Sequence, residues 1–502
     1  MSPNAQGRRP RSAAGHVVVV GGGLAGVSAA VRLAEAGRAV TLLESRPRLG
    51  GVASSFHRDG LHADTGQHVF LRAYTAYRGL LDRLGVSELA PVQDRMDIPV
   101  LLPGGRRTHL RRGPFGPAPV HLLPALAGYA GLTLSQRVRA ATAAAALARV
   151  DAADPAVDAR TFGAWLREHG QDEQAVRRLW GLVTVAALNI GPEDASLALA
   201  ATVFQQGLLQ SVDAGDIGIP TAPLSRLHDE AARQALEVLG ARVRLRSKAT
   251  HVDAGERGLV VTVRSGADRR QEQVAADAIV LAVPHQQAAR LVPDAAGCDR
   301  GAWEGLGASP ILNLHLRLDR RVLDLPGAPP SGPFAAAPDS PVQWVFDRSV
   351  QAGVRTGQYL ITSVSSAGDV ASWPSERVQA QQVSALEQLL PGLRSARVLD
   401  AFVTREPAAT FRQAAGTAAL RPPARTAVPG LVLAGAWTAT GYPDTMEGAV
   451  RSGLTAADLL LAERPGSGVT GARAAGTERR ADVIPPFAPA RPTELPLQEV
   501  TA

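Results

Sequence analysis

The sequence contains almost no cysteine and almost no lysine. Cys298 is the only cysteine among the 502 residues, which excludes an internal disulfide, a paired-cysteine redox centre and a cysteine-ligated metal cluster. A single thiol fits the reducing cytoplasm, and we predict no metal site. Lys248 is the only lysine, so arginine supplies nearly all of the 53 basic residues. We interpret this bias, and the isoelectric point near 10.3, as coding composition, and we predict no nucleic-acid partner.

Long uninterrupted apolar runs are also missing. The most apolar candidate, Phe115 to Leu134, contains three prolines and a histidine, which argues against a membrane-spanning helix. Arginines precede it at positions 106, 107, 111 and 112. The simpler interpretation is a core helix with solvated arginines. The alternative is a segment that lies in the interface of an anionic membrane, on the inner face of the cell membrane, and admits a lipid substrate.

An ordered set of motifs begins near residue 16. Four β-branched residues, Val17–Val20, predict a strand buried on both faces. Three glycines follow in the spacing G-x-G-x-x-G: the first allows a tight turn, the second lets backbone N–H groups approach a diphosphate, and the third lets a helix pack on the sheet. That helix is predicted over Gly26–Ala36, with its positive end on the phosphates. The predicted diphosphate site consists of Gly21, Gly23, Leu24, Ala25 and Gly26.

A second apolar run, Ala39–Leu43, ends in the acidic residue Glu44. An acid at this place accepts hydrogen bonds from a ribose diol, which predicts an adenosine without a 2′-phosphate. Strand, glycine turn, helix, strand and acid in this order form a dinucleotide-binding βαβ unit.

The next segment favours FAD over a nicotinamide cofactor. Residues 46–51 have the sequence RPRLGG, and residues 64–68 have the sequence DTGQH. Paired glycines and arginines bring a second backbone segment and positive charge to the diphosphate of a longer cofactor. Here the chain resembles the flavin-containing amine oxidase and carotenoid desaturase superfamily, whose members carry an E-x5-GG element at this place. The predicted ligands are Ser45, Arg46, Arg48, Gly50, Gly51, Gly66, Gln67 and His68.

The carboxyl-terminal part resembles the closing flavin motif of the same superfamily. Leu431–Gly435 predicts a buried strand, and residues 441–453 lead into a helix predicted over Leu454–Glu463. The resemblance implies that the backbone near Met446 faces the pyrimidine edge of the isoalloxazine, and that the backbone near Ala249 faces adenine. The predicted ligands are Ala249, Gly435, Ala436, Met446, Glu447 and Ala449.

One departure from the superfamily pattern concerns position 436. Family members usually carry an aspartate there, whose carboxylate holds the ribityl chain, whereas this sequence has Ala436. The loss of one hydrogen bond to a charged acceptor predicts FAD binding that is weaker by about 1 to 3 kcal/mol.

Several scattered segments resemble the hydroxysqualene dehydroxylase family within that superfamily. The resemblance runs from residue 16 to about residue 462. It implies that reduced flavin delivers a hydride from N5 to an allylic carbon of a hydrophobic C30 polyprenyl alcohol and gives squalene, in hopanoid biosynthesis, with squalene-synthase-like enzymes as pathway partners. The segments lie at 64–68, 187–189, 192–196, 309–311, 343–347, 358–360, 405–411 and 435–441.

Such a reaction needs a dry apolar tunnel and a proton donor for the departing hydroxyl group. His68 is the predicted donor, and Asp347 is the alternative. Trp437 and Tyr442 are predicted to wall the flavin. Amine oxidases keep a lysine near flavin N5, whereas Lys248 falls in the adenine-side segment, which argues against amine oxidation. Two other functions stay open: a polyene desaturase that uses flavin in the oxidising direction, and a non-catalytic protein that binds a prenyl lipid or partner synthases.

The predicted fold class is α/β. A Rossmann-like FAD-binding domain of the glutathione-reductase type is interleaved with an α+β substrate domain. We assign residues 16–90, 216–299 and 401–464 to the FAD-binding domain, and residues 91–215 and 300–400 to the substrate domain. The basic segment 1–15 and the tail 465–502, rich in proline, glycine and arginine, are predicted to be disordered.

Overall fold

The computed structural model describes residues 15–463, except 256–257, 267–269, 326 and 331. The tails predicted to be disordered lie outside the described residues, apart from Gly15. Two large sheets, a three-stranded antiparallel sheet, two two-stranded sheets and a layer of helices make up the described part. This mixed architecture confirms the predicted fold class.

The described residues form strands between residues 16 and 433. In chain order they are β1 (His16–Val20), β2 (Ala39–Leu43), β3 (Ser55–Arg58), β4 (Leu61–Asp64), β5 (Phe70–Leu71), β6 (Asp97–Leu102), β7 (Arg106–Arg111), β8 (Ile217–Gly218), β9 (Arg242–Arg244), β10 (Ser247–Gly255), β11 (Gly258–Ser265), β12 (Arg270–Ala276), β13 (Ala278–Leu281), β14 (Ser309–Leu318), β15 (Phe334–Ala337), β16 (Gln343–Asp347), β17 (Gln358–Val364), β18 (Val398–Thr410) and β19 (Leu431–Leu433).

The α-helices range from single turns to the seventeen-residue helix that ends the described chain. In chain order they are α1 (Leu24–Glu35), α2 (Thr75–Arg83), α3 (Leu123–Gly128), α4 (Leu134–Leu147), α5 (Pro155–Asp158), α6 (Phe162–Glu168), α7 (Glu173–Ala175), α8 (Gly181–Leu188), α9 (Leu197–Phe204), α10 (Ala231–Val238), α11 (His285–Leu291), α12 (Arg300–Gly305), α13 (Ser349–Ala352), α14 (Gly368–Ala371), α15 (Ser375–Leu389) and α16 (Met446–Ala462).

The first large sheet is parallel and has the strand order β19-β13-β1-β2-β9. Its central strand β1 pairs in parallel with β13 and with β2. Val18 and Val19 are fully buried because helices α1, α10 and α16 cover one face of the sheet, and the antiparallel sheet β10-β11-β12 packs on the other. The run of β-branched residues thus fits a strand buried on both faces, and the predicted βαβ unit is present.

The second large sheet has the strand order β18-β14-β17-β16-β15-β6-β7. Its strand β18 pairs with β14 in antiparallel register from Val398 to Thr410. The domain boundary predicted at residue 401 is therefore wrong, because one continuous hydrogen-bonded strand crosses it. The chain returns to the parallel sheet only after Thr410.

The apolar segment 115–134 does not form one core helix. Its proline-rich first part leads into the short helix α3, which has Pro124 in its first turn. A new helix, α4, then begins after Thr133, whose hydroxyl accepts a hydrogen bond from the N–H of Gln136 while the Gln136 side chain accepts one from the Thr133 N–H. This capping box fixes the start of α4 and separates the two helices.

The first and last helices of the described chain pack against each other. A Cβ atom added to Gly453 of α16 would lie 2.0 Å from the carbonyl oxygen of Ala25 in α1, so only glycine permits this approach. The Ser28 hydroxyl donates a hydrogen bond to the carbonyl of Val450 at 3.2 Å. No helix among the described residues combines the length and apolar character needed to cross a bilayer.

Candidate functional site

A cavity of about 1190 Å³ opens at the carboxyl edge of the parallel sheet. The residues that follow β1, β2, β13 and β19 all line it, as expected for a ligand site in an open α/β sheet. The same cavity continues between helices α3, α4, α8 and α9 of the substrate domain. Its volume exceeds the range typical for one drug-sized ligand, so it has room for a cofactor and a second molecule.

The glycine-rich turn after β1 has the geometry of a phosphate-binding turn. Gly21 has a φ of +106°, and a Cβ atom there would lie 2.2 Å from the carbonyl oxygen of Ala282. A Cβ atom on Gly26 would lie 1.9 Å from the Gly21 carbonyl oxygen, whereas Gly23 faces open space. Gly26 therefore serves the packing of the turn and does not line the cavity, while Gly23 leaves room for a ligand close to the backbone.

Glu44 lies at the end of β2, at one side of this turn. Its carboxylate accepts hydrogen bonds from the backbone N–H groups of Gly22, at 2.7 Å, and Arg46, at 2.6 Å. The Ser45 hydroxyl donates a third bond, at 3.1 Å. A carboxylate offers about four lone-pair positions, so one position remains for a ligand hydroxyl. The backbone N–H of Ser247 donates to the Glu44 carbonyl, which places the segment with Lys248 and Ala249 beside Glu44.

The paired glycines pack directly on the glycine-rich turn. The Gly50 N–H donates to the Gly22 carbonyl at 2.8 Å, and a Cβ atom on Gly51 would lie 3.2 Å from the Cα of Gly23. Arg46 lines the cavity, but Arg48 does not. The contact of Arg48 with the cofactor stays a prediction; its Nε donates to the Ser54 hydroxyl at 3.2 Å.

The start of α16 forms another wall of the cavity. Gly435, Ala436, Met446 and Ala449 line it, and the hydroxyl of Thr445 accepts a hydrogen bond from the Gly448 N–H at 3.2 Å. This cap leaves the other N–H groups of the first turn open to a ligand. The structure brings these residues into the same cavity as the amino-terminal glycine turn.

Glu447, a predicted cofactor ligand, has its carboxylate bound to other parts of the protein. Its carboxylate is buried and accepts hydrogen bonds from the backbone N–H groups of Ala76, at 3.1 Å, and Tyr77, at 2.8 Å. It also forms an ion pair with Arg451 at 2.7 Å. These contacts anchor α16 to the start of α2, so Glu447 holds the wall in place and does not line the cavity.

Three buried polar atoms in the cavity wall have no hydrogen-bond partner among the described residues. They are Nε2 of Gln67, Oδ1 of Asn313 and Nε2 of His285. Unsatisfied buried polar atoms are costly, and their positions at the cavity surface fit a ligand with both donors and acceptors, such as a flavin nucleotide. The sequence prediction included Gln67 but missed Asn313 and His285.

His68 lines the cavity next to Gln67. Its Nδ1 lies 3.1 Å from the Gly66 carbonyl oxygen, and burial lowers the pKa of its imidazole below the ordinary value. His68 is therefore neutral at pH 7, which makes it a poor proton donor.

Asp347, the alternative predicted donor, does not line the cavity. One carboxylate oxygen accepts hydrogen bonds from the backbone N–H and the hydroxyl of Ser349, at 2.9 and 2.5 Å. The other accepts one from the Gln358 amide at 2.7 Å. These three bonds give the carboxylate a structural role where β16 ends.

Asp444 is an acidic cavity residue that the sequence analysis missed. It lines the cavity just before the cap of α16, and its Oδ2 accepts a hydrogen bond from the Phe411 N–H at 2.9 Å. Burial raises the pKa of its carboxyl group to about 6. Asp444 stands inside the closing motif, but its spacing does not reveal its burial, since its environment comes from β18 and α16 together.

Trp437 and Tyr442 both line the cavity, where they were expected to stand against the flavin. The indole N–H of Trp437 donates to the Val283 carbonyl at 2.9 Å, and the Tyr442 ring packs against the Arg451 guanidinium at 4.4 Å. Each aromatic side chain is thus held in place by a neighbouring element.

The compartment between the helices is lined mainly by aliphatic side chains. Contributions come from α3, α4, α8, α9 and the loops between them, with aromatic rings from the second sheet. The lining residues here include Leu122, Leu126, Ala140, Ala144, Leu182, Val183, Ala186, Val203, Leu208, Phe334, Trp344 and Phe346.

Five large apolar side chains between residues 115 and 138 are exposed. Val120 and Leu123 line the cavity and are each 50% exposed. Phe115, Leu134 and Val138 are 86%, 75% and 58% exposed. All five belong to residues 115–138, and we refer to them below as the exposed apolar surface.

Comparisons with known proteins agree with this geometry. The sequence profile described as flavin containing amine oxidoreductase matches residues 24–461. The chain belongs to this family. Members bind FAD, and the chain is accordingly an FAD-dependent oxidoreductase.

Relatives in the family include both desaturases and dehydroxylases. A probable zeta-carotene desaturase of Synechococcus elongatus is 28% identical over 89% of this chain and 98% of its own length. A hydroxysqualene dehydroxylase of Sinorhizobium fredii is 29% identical over 89% of this chain and 99% of its own length. An enzyme of the same name from Rhodopseudomonas palustris is 28% identical over 89% of this chain and 98% of its own length.

Solved structures share the fold. An oxidoreductase from Methanosarcina mazei has a TM-score of 0.66 and 17% identity, covering 88% of this chain and 100% of its own. Wild-type putrescine oxidase bound to putrescine has a TM-score of 0.65 and 19% identity, and the match covers 89% of this chain and 99% of that one. These similarities show that the chain shares the fold of these proteins.

Proposed function

We propose that FAD binds along the carboxyl edge of the parallel sheet. The turn Gly21–Ala25 and the paired glycines would hold the diphosphate through backbone N–H groups, and Arg46 would contribute positive charge. Glu44 would accept a hydrogen bond from the adenosine ribose, and Ala249 would face adenine. The isoalloxazine would lie between Gln67 and the start of α16.

The reaction that we propose is the reductive dehydroxylation of a C30 polyprenyl alcohol, hydroxysqualene, to squalene. Bound FAD in its reduced form supplies the hydride that replaces the hydroxyl group. A squalene-synthase-type reaction would supply the alcohol. Support comes from the dehydroxylase relatives and from the aliphatic compartment, which suits a long hydrocarbon better than a small charged amine.

The chain's own part in this reaction is positioning and exclusion of water. The aliphatic walls from α3, α4, α8 and α9 would hold the hydrocarbon chain, since burying each CH₂ group contributes about 0.8 kcal/mol. The allylic carbon would then face the polar end of the cavity, where Gln67 and Asn313 lie. A dry wall around the reacting carbon also protects a developing positive charge from attack by water.

One observation carries the proposal: a single cavity joins the glycine-rich turn to the aliphatic compartment. A cofactor at one end and a long lipid at the other would therefore meet inside the protein. Lys248 lies beside Glu44, at the adenine side, which supports the argument against amine oxidation.

The test is an anaerobic absorption measurement on the purified full chain. After reduction with dithionite, hydroxysqualene is added and the flavin bands are followed while squalene is quantified. Return of the oxidised bands together with squalene supports the dehydroxylase. Bound flavin that hydroxysqualene does not reoxidise would favour a polyene desaturase, and a colourless protein would favour a non-catalytic lipid-binding protein.

We also propose that the exposed apolar surface docks on an anionic bilayer, at the inner face of the cell membrane. The surface consists of Phe115, Val120, Leu123, Leu134 and Val138. Charge supports this partner: residues 98–150 contain seven arginines and not one aspartate or glutamate. Apolar side chains next to acid-free, basic sequence fit the interface of a bilayer with anionic headgroups. A lipid substrate could then enter the cavity without crossing water.

A further inference from the structure

We propose that Asp444 is the proton donor to the departing hydroxyl group. This inference rests on the proposed dehydroxylation and assigns the role for which His68 and Asp347 were first considered. A hydroxide ion is a poor leaving group, so the C–O bond breaks readily only when an acid protonates the oxygen. The donor must lie at the cavity surface and must carry a proton near neutral pH.

The position of Asp444 meets the first requirement. Its side chain lines the cavity, as do the next two residues, Thr445 and Met446, which begin the wall proposed to face the isoalloxazine. The hydrogen bond from the Phe411 N–H to Oδ2 fixes one carboxyl oxygen. This fixed orientation leaves Oδ1 as the oxygen that can carry a proton toward a substrate hydroxyl.

The charges around Asp444 meet the second requirement. No ion pair to Asp444 is formed by the described residues. The guanidinium of Arg421 is the charge that favours ionisation, but its N–H groups donate to the carbonyls of Ala436 and Thr438 and to the Thr440 hydroxyl. Burial outweighs both the hydrogen bond from the Phe411 N–H and this charge, and it raises the pKa of the Asp444 carboxyl to about 6, so a fraction of the molecules carries the proton near neutral pH.

Two charged pairs lie close to Asp444 in the chain. On α16, Glu447 is paired with Arg451. After β18, Arg412 forms an ion pair with Asp194 at 2.9 Å. Glu406 of β18 also lines the cavity, but Asp444 is the acid that directly precedes the wall proposed to face the isoalloxazine.

The Asp444 O–H gives its proton to the allylic hydroxyl oxygen, the C–O bond breaks with its electron pair on oxygen, and water leaves. The carbon takes up the hydride that the proposed function already assigns to the reduced flavin cofactor. The Asp444 carboxylate that remains regains a proton from solvent before the next turnover.

The first test is independent of turnover. Infrared difference spectra of the full-length, FAD-loaded protein are recorded as a function of pH in the region of protonated carboxyl groups. We expect a band that titrates with a midpoint near the value of about 6 and that is lost in Asp444→Asn but kept in Glu406→Gln, which alters another acid of the cavity wall. Absence of an Asp444-dependent band at pH 5 would overturn the assignment.

The second test uses the reaction. Asp444→Asn is expected to lower kcat for hydroxysqualene by about 100-fold or more, the range for loss of a general acid, with little change in KM, and Asp444→Glu should restore part of the rate. A wild-type protein that leaves the alcohol unchanged would overturn the proposed function itself. An Asp444→Asn variant that binds FAD and turns over at the wild-type rate would overturn the donor role alone.

Discussion

The guanidinium of Arg348 lies 3.1 Å from the carboxylate of Asp64, and each side chain is 4% exposed. Asp64 ends β4, two residues before Gly66, and Arg348 follows β16 of the second sheet. The pair therefore ties the substrate sheet to the segment that carries Gln67 and His68 at the cavity. Asp64 also accepts hydrogen bonds from the Ser55 hydroxyl and the Leu224 N–H, so its charge is fully partnered.

Replacing Arg348 by methionine should destabilise the protein by about 3 to 5 kcal/mol, because a buried carboxylate loses its counter-charge. Urea unfolding followed by circular dichroism measures the change. The control is Arg320→Met, which removes an exposed ion pair with Asp319 and should leave the unfolding midpoint unchanged. Equal effects of the two substitutions would show that the buried pair does not tie the sheets together.

Replacing Ala436 by aspartate should strengthen FAD binding. Ala436 lines the cavity, so a carboxylate there can accept a ribityl hydroxyl, and one such bond corresponds to a Kd lower by about ten- to a hundredfold. Fluorescence titration of the apoprotein with FAD gives the Kd. Ala439→Asp, at an exposed position of the same loop, is the matched control. An unchanged Kd in Ala436→Asp would mean that the ribityl chain lies elsewhere.

The exposed apolar surface should bind anionic vesicles. The double substitution Phe115→Ser and Leu134→Ser should weaken binding to phosphatidylglycerol vesicles by at least about tenfold, because burying each of these side chains contributes roughly 1.5 kcal/mol or more. Sedimentation with vesicles measures bound protein. Val238→Ser removes an exposed valine from α10, which covers the parallel sheet, and should have no effect.

Salt and lipid charge provide the second part of this test. Binding should decrease as salt rises and should be weaker to phosphatidylcholine alone. Wild-type protein that remains in the supernatant with anionic vesicles at low salt would exclude the bilayer as the partner of this surface.

Stability should fall as the pH drops from about 6.5 toward 4. Burial lowers the pKa of His228 to about 4, and its ring nitrogens contact the Ala53 carbonyl, at 2.7 Å, and the Tyr77 hydroxyl, at 2.9 Å. Between these pH values the unfolded chain binds a proton that the folded chain does not. The free energy of unfolding therefore falls by up to about 1.4 kcal/mol for each pH unit of acidification.

The comparison of wild type with His228→Gln isolates this contribution. Asp444 affects the free energy of unfolding in the opposite direction. Because its pKa is raised in the folded state, acidification stabilises the protein through this residue. That contribution is the same in wild type and variant. Urea unfolding at several pH values should show a smaller loss of stability on acidification in the variant. Parallel pH profiles would mean that His228 titrates normally in the folded state.

The parts of the site that could be predicted are those encoded by local spacing. Strand β1, the glycine turn and Glu44 follow one another within 29 residues, and their order alone specifies the geometry. Asn313, His285 and Asp444 could not be found in this way, because long-range pairing of distant segments brings them to the cavity. Arg48 and Glu447 stand inside recognisable motifs, yet their side chains bond to neighbouring protein groups, which spacing does not reveal.

The segment 115–134 shows a different limit of sequence analysis. Its apolar composition suits both a core helix and a membrane surface, and only the direction of the side chains distinguishes them. Val120 and Leu123 line the cavity and are also half exposed. Because prolines interrupt this segment, it has no regular spacing of apolar residues from which this position could be predicted.

The packing of α1 on α16 has a consequence for synthesis. After β1 has emerged from the ribosome, about 400 further residues must be added before β19 and α16 emerge. Their synthesis takes roughly 20 to 80 seconds. During that time the nascent sheet lacks an edge strand and one covering helix, and its aliphatic face stays open to other chains. Truncation before residue 446 should therefore leave a species that depends on chaperones, even though every residue of the glycine turn is present.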